Sequence, residues 1–321
     1  MGETEVLVKV HCAALNRRDY FITKRQYPGV VSGAVLGADA SGVVVRVGST
    51  AKHGELLGKS CIVNSCIGWT SDWRGPEGGQ FGILGMLPFP GTLCEYLVID
   101  AAQVHAMPPH LSYREAAAFP LAGLTAFRAL FTKAEVKAGS MVLINGIGSG
   151  VSQMALLFAV ATGAQVYVTS SSPNKLEMAR ARGAAGGADY SQKNWHRGLL
   201  ADAGRPFDAV IDGSGGDTLL NSMKILRPGG IIANYGTTSS LKGVTVRLPF
   251  LFLQQRELRG TSMGSAEEFR AMLDLINKNE IRPWLSDTRY SLSDTPTALE
   301  AMGKMRHTGK LVIDVALPSS L

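Results

Sequence analysis

Residues Val142–Thr169 read VLINGIGSGVSQMALLFAVATGAQVYVT, and this stretch decides the fold. The apolar run Val142–Ile144 reads as a strand that ends in a glycine-rich turn, Gly146-Ile147-Gly148-Ser149-Gly150. Val151, Met154, Ala155, Phe158 and Ala159 then recur at helical spacing, and Gln165–Thr169 is a second apolar run. Such a strand–turn–helix–strand unit suits a dinucleotide pyrophosphate. Glycines let the backbone come close, and the helix N-terminus offers N–H groups without intrahelical partners. A lone glycine motif says little, but this one has the strand and helix that its mechanism requires. Gly146, Gly148, Ser149, Gly150 and Val151 are therefore the candidate pyrophosphate contacts, against the plainer reading of a glycine turn that binds nothing.

The end of the second strand bears on which dinucleotide. An NAD site of this type has an acidic residue about 20 positions after the first glycine, bonded to the ribose hydroxyls. Here the segment is Thr169-Ser170-Ser171-Ser172-Pro173-Asn174-Lys175, with no carboxylate. Hydroxyls from Ser170 and Ser171 and the cation of Lys175 would welcome a 2′-phosphate, so the expected cofactor is NADP(H). The same residues also read as a loop, a helix cap and a solvated lysine.

The bulk numbers bound the rest. A chain of 321 residues favours two domains, and 45% hydrophobic residues suffice for a sizeable core. No run approaches the ~18 apolar residues of a membrane span, and MGETEVLVKV lacks the basic-then-apolar order of a secretory signal. Cys12, Cys61, Cys66 and Cys94 form no CxxC pair, which favours a reducing compartment, expected to be the cytoplasm. The net charge of +6 and pI of about 9.2 invite a nucleic-acid reading. Lys and Arg are scattered without interleaved aromatics, so none is expected; a mildly basic surface also suits a polyanionic cofactor.

Residues 1–110 read as β-rich, with alternation over Glu5–His11, Ala40–Val47 and Glu95–Ile99. Ser112-Tyr113-Arg114-Glu115 is a capping box opening a short helix, and a second helix is expected over about Leu121–Phe131. Strands and helices alternate thereafter: a helix over Pro173–Arg182, a strand over Phe207–Ile211, a helix over Asp217–Leu226 and a strand over Gly230–Tyr235. This predicts an α/β chain with a doubly wound parallel (Rossmann) sheet over 111–245. Ser265-Ala266-Glu267-Glu268 is a second capping box, before a stripe of Phe269, Met272, Leu273 and Ile276. Thr295-Pro296 opens a last helix with Gly309 at its end, and Lys310–Val315 reads as a final strand. Residues 246–321 are expected to finish the parallel sheet and return to the first domain.

These segments together resemble the medium-chain dehydrogenase/reductases. The likeness is carried by Ala13-Ala14-Leu15-Asn16-Arg17-Arg18-Asp19, Leu36-Gly37-Ala38-Asp39-Ala40-Ser41-Gly42-Val43-Val44, Pro120-Leu121-Ala122-Gly123-Leu124-Thr125-Ala126, the turn at Gly146–Val151, and Asn234-Tyr235-Gly236-Thr237-Thr238. It runs over nearly the whole chain and is closest to the zinc-free quinone oxidoreductase branch and the "zinc-type alcohol dehydrogenase-like" proteins of fungi and bacteria. It implies a β-rich GroES-like catalytic domain at the N-terminus and a homodimer, joined near Leu258–Gly260. It also implies a first hairpin before Gly2 that this sequence lacks, which would leave a sheet edge unpaired.

Zinc-dependent relatives carry a cysteine ligand where this chain has Asn16, and Gly-His-Glu where it has Gly37-Ala38-Asp39. The cysteine-rich structural lobe maps near Ser65–Gly85, which holds only Cys66. Zinc needs about three Cys, His or carboxylate ligands, so no metal is expected. His11, His53 and His105 lack ligand spacing and read as ordinary core or surface residues.

The resemblance also distributes roles. Asn16 is the candidate hydrogen-bond donor to a substrate oxygen, with a turn-forming Asn as the alternative; Asp19 orients loops, and Tyr20 lines the pocket or packs. Thr125 meets the nicotinamide end, or is a helix hydroxyl bonded to a preceding carbonyl. Tyr190 flanks the adenosine phosphate, or is a core aromatic. Tyr235, Gly236 and Thr237 end a parallel strand on the ligand side. Met263 and Gly264 approach the carboxamide, and Lys310 reaches the pyrophosphate or is a solvated charge. Asp208, Asp212 and Asp217 read as strand and loop residues rather than a carboxylate centre. The expected reaction is zinc-independent hydride transfer from NADPH to a small-molecule quinone or α,β-unsaturated carbonyl compound, electrophilic without a Lewis acid. A zinc alcohol dehydrogenase and an NADPH-binding regulatory protein without significant turnover are the alternatives.

Overall fold

The computed structural model describes residues 1–28, 32–49, 51–238, 243–305 and 307–315; the side chains of 51–53, including His53, lie outside the described residues. The chain divides into two units, Met1–Leu124 with Gly264–Leu321, and Thr125–Met263.

The first unit opens with β1 (Glu5–Ala14), α1 (Arg17–Thr23), β2 (Asp39–Val47), β3 (Ser60–Val63), the short strands β4 (Cys66–Ile67) and β5 (Gly82–Ile83), β6 (Tyr96–Asp100) and β7 (Val104–Ala106). α2 (Tyr113–Ala117) and α3 (Pro120–Phe127) follow. Along β1 the alternation sends Val6, Val8 and Val10 inward, where they meet Val44, Leu97, Ile99 and Val104 in one core. β1 pairs antiparallel with β2 and with β6. α2 starts at the expected box: Ser112 N donates to Glu115 Oε2 at 2.8 Å and Ser112 Oγ accepts from Glu115 N at 3.3 Å.

The second unit is the parallel sheet. Its elements are β8 (Met141–Ile144), α4 (Gly150–Ala161), β9 (Gln165–Thr169), α5 (Pro173–Arg180), β10 (Gly186–Ala188), α6 (Trp195–Ala203), β11 (Phe207–Asp212), α7 (Gly216–Lys224), β12 (Leu226–Asn234), α8 (Pro249–Phe252) and β13 (Glu257–Gly260). The strand order is β10-β9-β8-β11-β12-β13, and every pairing is parallel. All four residues of β8 are buried, as a strand covered on both faces requires. Met154, Ala155, Phe158 and Ala159 of α4 are buried on the expected stripe.

The chain then re-enters the first unit with α9 (Ala266–Lys278), β14 (Tyr290–Ser291), α10 (Thr295–Lys304) and β15 (Val312–Asp314). β15 pairs antiparallel with Cys12–Ala14 of β1. α9 buries Phe269, Met272, Leu273 and Ile276 behind the Ser265–Glu268 capping box.

Three details depart from the sequence reading. The first unit boundary falls at 124/125 instead of near 110, because α2 packs on β1 and β2. The helix expected over 121–131 is α3 followed by a π-helical stretch, Arg128–Lys133. The last helix stops at Lys304 with Met305 in the left-handed region, whereas Gly309 (φ +82°) lies beyond it, where a Cβ would meet the Leu285 backbone at 2.7 Å. Among the described residues no helix is long and apolar enough to cross a membrane.

Candidate active site

The glycine-rich turn is held from below by a buried polar network. Gly146 N donates to Thr169 Oγ1 at 3.0 Å and Ile147 N to Thr169 O at 2.8 Å, fixing the turn to the end of β9. Asp212 is fully buried; its carboxylate accepts from Asn145 Nδ2 at 2.9 Å, Asn234 Nδ2 at 2.8 Å and Gly215 N at 3.0 Å. The C-terminal ends of β8, β11 and β12 are thus tied to one carboxylate, whose pKa burial pushes up. Asp212 is a support beneath the loop, and Asp208 belongs elsewhere, paired with Arg205 and Arg227.

Above this network stands the N-terminus of α4. Ser149 caps it, accepting from Ser152 N at 3.2 Å, and Gly150 and Val151 occupy its first turn. First-turn N–H groups lack intrahelical partners. Tyr235 lies across Gly213, where a Cβ would stand 2.2 Å from its ring, and its hydroxyl hydrogen-bonds Ser149; burial pushes that phenol's pKa up. Gly236 and Thr237 continue from it, and a Cβ at Gly215 would meet Thr237 Oγ1 at 2.8 Å. Only bare backbone fits at Gly213 and Gly215, because Tyr235 and Thr237 fill the space beside them.

Ser170, Ser171, Lys175 and Tyr190 gather at the end of β9. Ser170 Oγ accepts from Ser172 N at 3.1 Å, and Ser171 Oγ donates to Tyr190 Oη at 3.2 Å. Tyr190 is exposed and not a core aromatic. The Lys175 side chain lies over Gly148 (φ +113°), so that a Cβ there would fall 2.7 Å from its Cδ and 3.2 Å from its Nζ. Half-burial lowers the Lys175 pKa, since desolvation disfavours the ammonium. Thr125 lies within α3, buried, with Oγ1 4.0 Å from Met263 Sδ. Met263 is buried at φ +58°, and a Cβ at the next residue, Gly264, would meet Leu124 Cδ1 at 2.7 Å.

In the first unit, Asn16 caps the start of α1 and Asp39 opens β2. Lys310 is 3% exposed; its ammonium donates to Asn16 Oδ1 at 2.7 Å and Asp39 Oδ2 at 2.8 Å. Lys310 is not the solvated charge that the sequence also allowed; it is a buried partner of Asp39. Asn16 Nδ2 donates to Asp39 Oδ2 at 2.8 Å, while Asp39 Oδ1 accepts from Ser65 Oγ at 3.1 Å and Leu121 N at 2.8 Å. Asp19 is fully buried and accepts from Asn16 N at 2.8 Å; desolvation pushes its pKa up to about 6 despite the nearby Arg18. Tyr20 packs on α10, since a Cβ at Gly303 would meet its ring at 2.4 Å, and the Arg17 guanidinium sits 5.3 Å from its centroid.

Comparison with known proteins agrees with this architecture. Residues 2–109 match the model of the alcohol dehydrogenase GroES-like domain, and residues 150–278 that of the zinc-binding dehydrogenases. The zinc-type alcohol dehydrogenase-like protein YogA of Leptosphaeria maculans is 39% identical over 98% of this chain and 91% of its own length. The chain belongs to the medium-chain dehydrogenase/reductase superfamily. It is therefore an oxidoreductase of a nicotinamide-dinucleotide-dependent family. Among solved structures, an NAD-dependent alcohol dehydrogenase superposes with a TM-score of 0.88 at 30% identity, covering 98% of this chain and 93% of that one. The 2-octenoyl-CoA carboxylase reductase CinF, in complex with NADP and 2-octenoyl-CoA, superposes with a TM-score of 0.86 at 25% identity, covering 100% and 81%.

The residues present fit a dinucleotide and do not fit the zinc for which the matched family model and this relative are named. For the dinucleotide, the first turn of α4 offers N–H groups without intrahelical partners, with the Lys175 ammonium and the hydroxyls of Ser170 and Ser171 beside the turn. At the catalytic-zinc position stand a carboxamide (Asn16) and a methyl group (Ala38), and the carboxylate of Asp39 already holds an ammonium. Among the described residues no three His, Cys, Asp or Glu side chains gather as a metal-binding group. His11 stacks on Tyr113 at 4.3 Å, and His105 packs on Phe269, its pKa lowered by burial to about 4. Burial pushes the Cys12 and Cys61 thiols up to about 12, leaving them poor metal ligands and nucleophiles. Where relatives carry a structural zinc lobe, Glu77 accepts from the backbone N–H of Thr70, Ser71 and Asp72 at 2.7, 2.5 and 2.7 Å.

Sequence reasoning assigned no role to Asp39, Ser65, Glu77 or the Asn145–Asp212–Asn234 network. One signal was available for Asp39: an acid persists at the third position of the Gly-His-Glu segment after its histidine is lost.

Proposed function

We propose that this protein is an NADPH-dependent, zinc-independent reductase of quinones or α,β-unsaturated carbonyl compounds. One observation carries the reaction class: Lys310 occupies Asn16 and Asp39, the residues at the family's metal position. Without a Lewis acid the acceptor must be electrophilic by its own conjugation. When bound, the reduced nicotinamide supplies hydride. An acceptor carbon taking that hydride would pass its π electrons to the conjugated oxygen, which the chain must hold, with a solvent proton to complete the reduction.

The chain's own residues supply binding and orientation. The first turn of α4 faces the pyrophosphate with backbone N–H groups. Ser170, Ser171, Lys175 and Tyr190 receive the 2′-phosphate, the site that distinguishes NADPH from NADH. Thr125 and Met263 serve the nicotinamide end. Asn16 donates to the oxygen on which negative charge develops, where a preorganised donor lowers the barrier. As part of the same reading, β13, the outer strand of the parallel sheet with Leu258 exposed, pairs with a second copy.

The test is a spectrophotometric panel. NADPH is mixed with quinones, enones, aldehydes and alcohols, with and without a strong chelator. Quinone or enone turnover that survives chelation is expected. Chelator-sensitive alcohol oxidation, or NADPH binding without any turnover, overturns the proposal.

A further inference from the structure

Asn16, Asp39 and Lys310 come from the start of α1, the start of β2 and the residues before β15, and all three are buried. An ammonium only donates hydrogen bonds and an ionised carboxylate only accepts them. The Asn16 carboxamide lies against both: Oδ1 accepts from Lys310 Nζ at 2.7 Å and Nδ2 donates to Asp39 Oδ2 at 2.8 Å. Rotating the amide by half a turn would set N–H groups against the ammonium and oxygen against the carboxylate. One orientation therefore survives, and it spends only one of the two Nδ2 hydrogens. The ammonium also draws electron density toward Oδ1, which strengthens the remaining N–H as a donor.

We infer that Lys310 is a positioning residue for the reaction, acting through Asn16. It locks the carboxamide so that the second Nδ2 hydrogen serves the substrate oxygen that becomes an enolate or phenolate, and it contributes from within the chain a positive charge at the family's metal position. This rests on the function proposed above. Asp39 is the anchor: its Oδ1 is held by Ser65 Oγ and Leu121 N, so the cluster has a fixed base.

Lys310→Met alone strands a buried carboxylate, so the charge-neutral pair Asp39→Asn/Lys310→Met is made beside it. Both are assayed with NADPH and either 1,4-benzoquinone or 2-cyclohexen-1-one, together with Asn16→Ala and Asn16→Ala/Lys310→Met. NADPH affinity is measured by fluorescence titration, and the Asn16 side-chain amide is followed by 15N–1H NMR. Loss of a preorganised donor predicts a fall in kcat of about tenfold or more, with NADPH Kd held within about twofold. Adding Asn16→Ala to Lys310→Met should cost nothing further, since both remove one device. The Asn16 amide protons, set by unlike partners in the wild type, should shift toward the positions of a free carboxamide in the lysine variants. A folded paired variant with wild-type kcat, or multiplicative losses, overturns the inference. Should the wild type reduce no quinone or enone, the functional reading falls. The amide signals then decide the lock alone: unchanged Asn16 resonances without Lys310 refute it, and resonances at free-carboxamide positions sustain it.

Discussion

Replacing Lys175 by Gln should separate the two nicotinamide cofactors. The ammonium lies over Gly148 at the head of α4 and is half-buried, so part of its hydration is already lost before a phosphate arrives. Two unit charges about 4 Å apart at an effective dielectric of about 20 attract by about 4 kcal/mol. Side-chain ordering and residual solvent screening reduce this to the range of a charge-assisted hydrogen bond, about 1.5–3 kcal/mol net. Converted to affinity, the variant should bind NADPH about 10- to 150-fold more weakly. NADH has no 2′-phosphate and should change by less than about twofold. Titration of the dihydronicotinamide fluorescence measures both. Raising salt from about 50 to about 500 mM should weaken NADPH binding more in the wild type than in the variant, because the lost interaction is the screened one. Equal weakening of NADPH and NADH would place Lys175 on the shared pyrophosphate and refute the 2′-phosphate assignment, as would wild-type protein that binds NADH as tightly as NADPH.

Two carboxylates predict opposite pH behaviour. Asp19, with its folded pKa pushed up to about 6, holds its proton where the unfolded chain, near its ordinary value of about 3.9, has released it. The folded state binds more protons between those values, so this group's contribution falls by about 3 kcal/mol as pH rises from about 4 to about 6. Asp19→Asn should remove that fall, leaving urea midpoints at pH 7 equal to or above the wild type; a large loss at pH 7 contradicts the account. Glu77 runs the other way: backbone N–H groups of Asp72, Ser71 and Thr70 hold its carboxyl down at about 2. Its contribution is complete above its unfolded pKa, about 4.3, and is lost as pH falls toward about 2. Glu77→Gln should speed hydrogen exchange of the Thr70–Asp72 amides at neutral pH and flatten the acid limb of thermal stability; unchanged exchange refutes it.

The parallel unit was legible because its signals are local. An apolar run, a turn of glycines and a helical stripe identify β8, the turn after it and α4 by spacing alone, and the absence of a carboxylate after β9 is equally local. The capping boxes at Ser112 and Ser265 were readable for the same reason, since each closes within four residues. Boundaries were less so. Met305 ends α10 in a left-handed conformation that the sequence would assign to Gly309, and α2 joined the first unit because of what it packs on.

By itself, then, the sequence determined the doubly wound sheet, the β-rich companion unit, the glycine-rich turn and the family to which they belong. Only tertiary structure decided what Lys310 does. Its partners Asn16 and Asp39 lie 294 and 271 residues away in the chain, and no periodicity links them. A lysine before a strand reads as solvated until the fold buries it. Once water is gone, its ammonium needs both a carboxylate and an acceptor oxygen, and that requirement fixes the Asn16 amide.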